Sequence, residues 1–93
     1  MVMKLSTINT TAANKTLSVG ERVFVTQDNV TITLPSGPSS GDAVGISVGD
    51  FSNTLLAQNG DNIMNLNEDL AIDIPWTSLT LVYVDATKGW RII

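Results

Sequence analysis

The chain has 93 residues, enough for one domain and one core. A domain this small buries only roughly 60–65% of the surface its unfolded chain exposes, so it usually needs disulfides, a metal or partner subunits. It has no cysteine and no histidine, which removes disulfides, thiolate sites and the commonest zinc ligand, and leaves self-association as the expected helper.

The formal net charge is −4, and the pI is about 4.3. Such a chain repels a phosphate backbone, so no nucleic-acid partner is expected. Eleven Thr, eight Ser and eight Asn take the place of charged residues, which are only 15% of the chain. Met1–Leu5 lacks the apolar core of a secretory signal, and no apolar run approaches the ~20 residues that span a bilayer. Membrane insertion is therefore not expected, and synthesis in the cytoplasm is.

In chain order, residues 6–19 are polar and sustain no period, and they read as an extended arm with one short strand at most. Val23-Phe24-Val25 is β-branched and aromatic, and Gln27-Asp28-Asn29 is a turn. Val30, Ile32 and Leu34 alternate with Thr31 and Thr33, which predicts a strand with one buried face. Residues 35–42, Pro-Ser-Gly-Pro-Ser-Ser-Gly-Asp, form a breaker loop. Val44, Ile46 and Val48 alternate with Gly45 and Ser47. Asn59-Gly60 predicts a hairpin turn with a short strand on either side. Leu70, Ile72 and Ile74 alternate with Asp69, Ala71 and Asp73 up to Pro75. The run 79–84 reads as a strand buried on both faces. Residues 85–89 form a turn, and Trp90-Arg91-Ile92-Ile93 is a last strand.

This gives seven or eight short strands at spacings of about ten residues, an all-β chain with no convincing internal repeat. Residues 1–19 are the arm and 20–93 the β module. The predicted core is Val23, Val25, Val30, Ile32, Leu34, Val44, Ile46, Leu70, Ile72, Leu79, Leu81 and Tyr83.

Little points to catalysis. Serine–histidine and cysteine–histidine nucleophiles are impossible. Glu68-Asp69 is the one adjacent acidic pair, and neighbours on a strand face opposite ways. Asn59, Asp61, Asn62 and Asp69 are hard oxygen ligands, but they lack EF-hand spacing and read as turn formers. Gly37, Gly41, Gly45 and Gly49 recur every fourth residue without a phosphate-loop pattern. Asn9, Asn14 and Asn29 open N-x-T triplets that read as chance matches. No enzyme activity, metal or cofactor is expected. Trp76, beside the strand-breaking Pro75, is the candidate glycan contact, and Trp90 reads as buried packing.

Three stretches carry a resemblance. Residues 29–48 include T-I-T-L-P and a later G-D, at Leu34-Pro35 and Gly41-Asp42; residues 59–70 open on N-G; and the tail holds Leu81-Val82-Tyr83 and Gly89-Trp90-Arg91. In this order and spacing, over roughly residues 10–93, the sequence resembles a small β module of bacteriophage virion proteins, chiefly tail fibres and tail spikes. The resemblance implies a sandwich- or prism-like module assembled as an intertwined homotrimer, with no catalytic residues to carry over. It implies a virion-surface protein: a knob that decorates or cements the capsid, or a tail-fibre component. Its partners would be its own copies and capsid or tail proteins. The docking segment would be the arm, with Thr7, Ile8, Asn9, Thr10 and Thr11 as contacts. The alternative is a receptor-binding module for host surface glycan, with Trp76 as the contact.

Overall fold

A computed structural model describes residues 8–51 and 53–93. Those residues form nine strands: β1 (Asn9–Thr11), β2 (Lys15–Thr16), β3 (Arg22–Val25), β4 (Val30–Thr33), β5 (Ala43–Val48), β6 (Thr54–Ala57), β7 (Leu70–Ile72), β8 (Ser78–Tyr83) and β9 (Trp90–Ile92). They make two mixed sheets, a five-stranded sheet in the order β1-β3-β5-β8-β9 and a four-stranded sheet in the order β2-β4-β6-β7.

The first six strands alternate strictly between the sheets. β1, β3 and β5 run parallel in one, and β2, β4 and β6 run parallel in the other. Three successive turns of chain thus stack as coils, each giving one strand to each sheet. The last three strands are antiparallel: β7 on β6, β8 on β5 and β9 on β8.

Asparagines tie adjacent coils together along the four-stranded sheet. Asn14, Asn29 and Asn53 each stand immediately before a strand of the four-stranded sheet. The Thr31 N–H donates to Asn14 Oδ1 at 2.8 Å. The Asn29 N–H donates to the Asn53 carbonyl at 2.9 Å, and the Asn53 amide donates to Asn29 Oδ1. Asn29 has a positive φ of 59°, which Asn tolerates better than most residues. Asn29 and Asn53 stand opposite each other and show in the sequence as N-V-T-I and N-T-L-L at residues 29–32 and 53–56, whereas Asn14 stands opposite Thr31.

Alternation was read correctly as one-sided burial. In β4 and β5 the buried positions are Val30, Ile32, Val44, Ile46 and Val48. One cluster draws on both sheets and also takes in Leu17, Leu34, Leu56, Ile63, Leu81, Tyr83 and Trp90. Ten of the twelve predicted core residues are buried, while Leu70 and Leu79 only pack against the cluster. Trp90 is fully buried and meets Tyr83 edge-on at 5.5 Å.

Three expectations are corrected. Residues 9–17 are not an arm: β1 and β2 are edge strands of the two sheets, and Leu17 is 2% exposed. Thr and Asn suit an edge strand, where one backbone side stays in water, so polarity alone did not separate strand from arm. Second, no strand follows Asn59-Gly60. The β6–β7 connection is a long loop, residues 58–69, from which only Ile63 makes isolated bridges, to Leu66 and Trp90. The Asn59 amide donates to the Leu34 carbonyl at 3.1 Å instead of closing a two-residue hairpin. Third, β8 alternates in burial, because only one face of its sheet meets the core.

Candidate interaction surface

The turn between β7 and β8 presents Trp76. Pro75 fixes the entry, and Trp76 follows at φ 63°, a left-handed conformation that costs a non-glycine residue about 1–2 kcal/mol. The turn is tied to the end of β5. The Trp76 N–H donates to the Gly49 carbonyl at 2.8 Å, and the Val48 N–H donates to the Thr77 carbonyl at 2.9 Å. The Thr77 hydroxyl donates to the Ile74 carbonyl at 2.6 Å. Trp76 is 67% exposed and Ile74 66%. Beside them Leu70, Ile72, Leu79 and Ile92 line a shallow apolar groove of about 190 Å³, with Asp73 at its margin.

A second feature lies on the outer face of the five-stranded sheet. Pairing registers align Arg22, Gly45 and Thr80 across β3, β5 and β8. Ile8 precedes Asn9, the partner of Val23, and the Ile93 N–H donates to the Thr80 carbonyl at 2.9 Å. Ile8 and Ile93 therefore stand at the two ends of this row. Gly45 has no side chain, and the Arg22 stem lies across it: a Cβ there would meet Arg22 Cγ at 3.2 Å. The result is a trough of about 250 Å³ floored by Gly45, Ser47, Ser78 and Thr80.

The arm residues named from sequence fall on or near the edge of this sheet. Thr7 lies outside the described residues. Ile8 is 44% exposed. The Asn9 amide donates to Glu21 Oε2 at 3.0 Å. Thr10 is exposed in β1. Thr11 is half-buried; its hydroxyl donates to the Ala13 carbonyl at 2.9 Å, and its own carbonyl accepts the Thr26 N–H. Glu21 Oε2 also meets Lys15 Nζ at 3.1 Å, and Oε1 accepts the Ser18 N–H at 2.9 Å. Burial works to raise the Glu21 carboxyl pKa. The Ser18 N–H, the Asn9 amide and the Lys15 ammonium outweigh it and hold the group below its ordinary value. This cluster joins β1, β2 and the start of β3.

The oxygen-rich loop 58–69 is bonded into the fold. Asp61 Oδ1 accepts the Tyr83 hydroxyl at 3.2 Å, and Asp69 Oδ1 accepts the Gln58 N–H at 2.9 Å. Asn62 donates to the Thr87 carbonyl at 3.5 Å. Among the described residues, no three Asp or Glu side chains are grouped so as to hold a metal ion. No helix of the described residues is long and apolar enough to cross a membrane.

Sequence reasoning placed Trp76 at an exposed turn, and the structure puts it there. It missed the trough, with Arg22, Gly45, Thr80 and Ile93. The available signal was the out-facing series Ala43, Gly45, Ser47 and Ser78, Thr80, which is small or hydroxylated throughout. No protein-family model matches the sequence, and no curated protein matches it either.

Proposed function

We propose that this protein is a non-catalytic structural component of a bacteriophage virion, a homotrimeric surface knob that docks on the particle and decorates or stabilises it. One observation carries the reading beyond the sequence resemblance. A chain with a complete core leaves large apolar side chains in water: Trp76, Ile74, Leu66 and Ile93, 54–78% exposed. Ile74 and Trp76 stand together at the β7–β8 turn beside the apolar groove, and an exposed apolar patch favours a role in contact with other proteins.

The docking contacts are Thr7, Ile8, Asn9, Thr10 and Thr11, at and just before the β1 edge. The test is co-sedimentation of the purified protein with particles that lack it. A variant without residues 1–8 is expected to stay folded and to lose particle binding. Binding at the wild-type level by that folded variant would remove the docking assignment.

The second reading is recognition of host surface glycan, and the strained, exposed Trp76 favours it. Stacking on a sugar face would use the indole, with Asp73 and Thr77 in the same turn. Trp76→Ala is then expected to abolish binding to host cells while co-sedimentation with particles is retained.

A further inference from the structure

The outer edge of β9 is covered, and the cover includes a sulfur atom. β8 takes one side of β9: the Ile93 N–H donates to the Thr80 carbonyl at 2.9 Å, and the Val84 N–H donates to the Gly89 carbonyl at 3.0 Å. Backbone groups alternate in direction along a strand, so those of Trp90 and Ile92 point away from β8. The loop 58–69 meets them. The Trp90 N–H donates to the Asn62 carbonyl, and the Met64 N–H donates to the Trp90 carbonyl, both at 2.8 Å. The next outward donor, the Ile92 N–H, meets a side chain instead of a carbonyl: it donates to Met64 Sδ at 3.4 Å. A thioether is a weak acceptor, so the last contact of this cover is its weakest.

The loop reaches this position under backbone strain. Met64 and Asn65 have φ of 53° and 66°, two successive left-handed residues with no glycine between them. Asn65 is anchored twice, its N–H donating to the Lys88 carbonyl at 3.3 Å and its Oδ1 accepting Arg91 Nη1 at 2.9 Å. Met64 is 37% exposed, so solutes reach its side chain. It is the one methionine among the described residues; Met1 and Met3 lie outside them.

We propose that Met64 is a site of oxidative modification, and that its thioether is a latch on β9 which a hydroperoxide opens. One sulfur lone pair meets the Ile92 N–H, and the other is free to react. It attacks a peroxide oxygen; the S–O bond forms as the O–O bond breaks, and the sulfur gives up two electrons. With hydrogen peroxide, the departing hydroxide takes the proton of the transferred oxygen and leaves as water. The sulfoxide is polar and bulkier than the thioether it replaces. The Ile92 N–H loses the sulfur, and the strained Met64-Asn65 turn loses one of the contacts that hold it down. The outer edge of β9 is then uncovered at Ile92, and an uncovered edge is a template for strand pairing.

The experiment treats the full chain with dilute hydrogen peroxide and takes two readouts, peptide mass mapping and amide hydrogen exchange by NMR. Met64 is expected to gain one oxygen. The Ile92 amide is then expected to exchange roughly tenfold faster or more, while the Leu34 and Val48 amides, bonded elsewhere in the fold, keep their rates. Methionine sulfoxide reductase should restore the slow rate. Met64→Leu keeps the bulk and removes the acceptor, so it should show fast Ile92 exchange before peroxide and no further change after it. A Met64 still reduced when Met1 and Met3 are fully oxidised would overturn the site. An oxidised Met64 with unchanged Ile92 exchange would overturn the latch, and so would a peroxide effect in Met64→Leu equal to that in wild type. The wild-type measurement needs no variant and decides the matter if Met64→Leu fails to fold.

Discussion

At Gly89 the chain has φ +69°, and a Cβ there would lie 2.0 Å from the Asn62 carbonyl oxygen. That oxygen accepts the Trp90 N–H at 2.8 Å, so the loop cannot withdraw without breaking the contact that covers β9. Gly89→Ala is expected to destabilise the protein by about 3 kcal/mol or more, from strain and displaced backbone, as measured by urea unfolding. Trp76 presents the opposite case. It holds a positive φ while mostly exposed, so little packing is lost when it is removed. Trp76→Gly relieves a left-handed cost of about 1–2 kcal/mol against a glycine entropy loss of about 0.5–1 kcal/mol. The melting temperature of this variant is expected to hold or rise. A clear fall would mean that the indole packs more firmly than its exposure indicates. Glu21 supplies a pH dependence. Its folded pKa is held below the ordinary 4.5, so the stability it contributes is complete above that value and is lost as pH falls through the folded value. Glu21→Gln should leave a shallower loss of stability on acidification, followed by circular dichroism below pH 4.5.

At the scale of elements, the first coil is part of the fold, although its strands are the shortest and most polar. Leu17 extends β2 by donating its N–H to the Thr33 carbonyl at 2.8 Å, and it is 2% exposed. Leu17→Ala is expected to cost about 2–5 kcal/mol. Deleting residues 1–19 should cost more, because it also strips the edges of β3 and β4; a deletion variant as stable as wild type would restore the arm reading. The asparagine contacts between coils are the second element-level device. Asn53→Ala removes a donor to Asn29 Oδ1 between adjacent coils, and a loss of about 1 kcal/mol is expected in urea unfolding. The stretches behind the phage-module resemblance also prove to be fold-making. Leu34 is fully buried, Gly41 holds φ +92°, and Asp42 Oδ2 accepts the Ser39 N–H at 2.7 Å. Gly89 admits the Asn62 carbonyl, and Trp90 fills the core.

Across the whole molecule, the sequence by itself determined the all-β class, most strand positions and ten of twelve predicted core residues, since period-two alternation reports directly on which face is buried. It also put Trp76 at an exposed turn, because proline stops a strand wherever it falls. Only the tertiary structure decided which strands pair, and in which direction. The alternation in β4 and β5 would look the same in a parallel or an antiparallel sheet, provided the outer face stays uncovered. Most parallel sheets are buried on both faces and lose this alternation, so the parallel coils carried no usual signature. The outer trough was hidden for the same reason. It joins Ile8, Arg22, Gly45, Thr80 and Ile93 from five separate segments, and only the cross-strand register makes them neighbours.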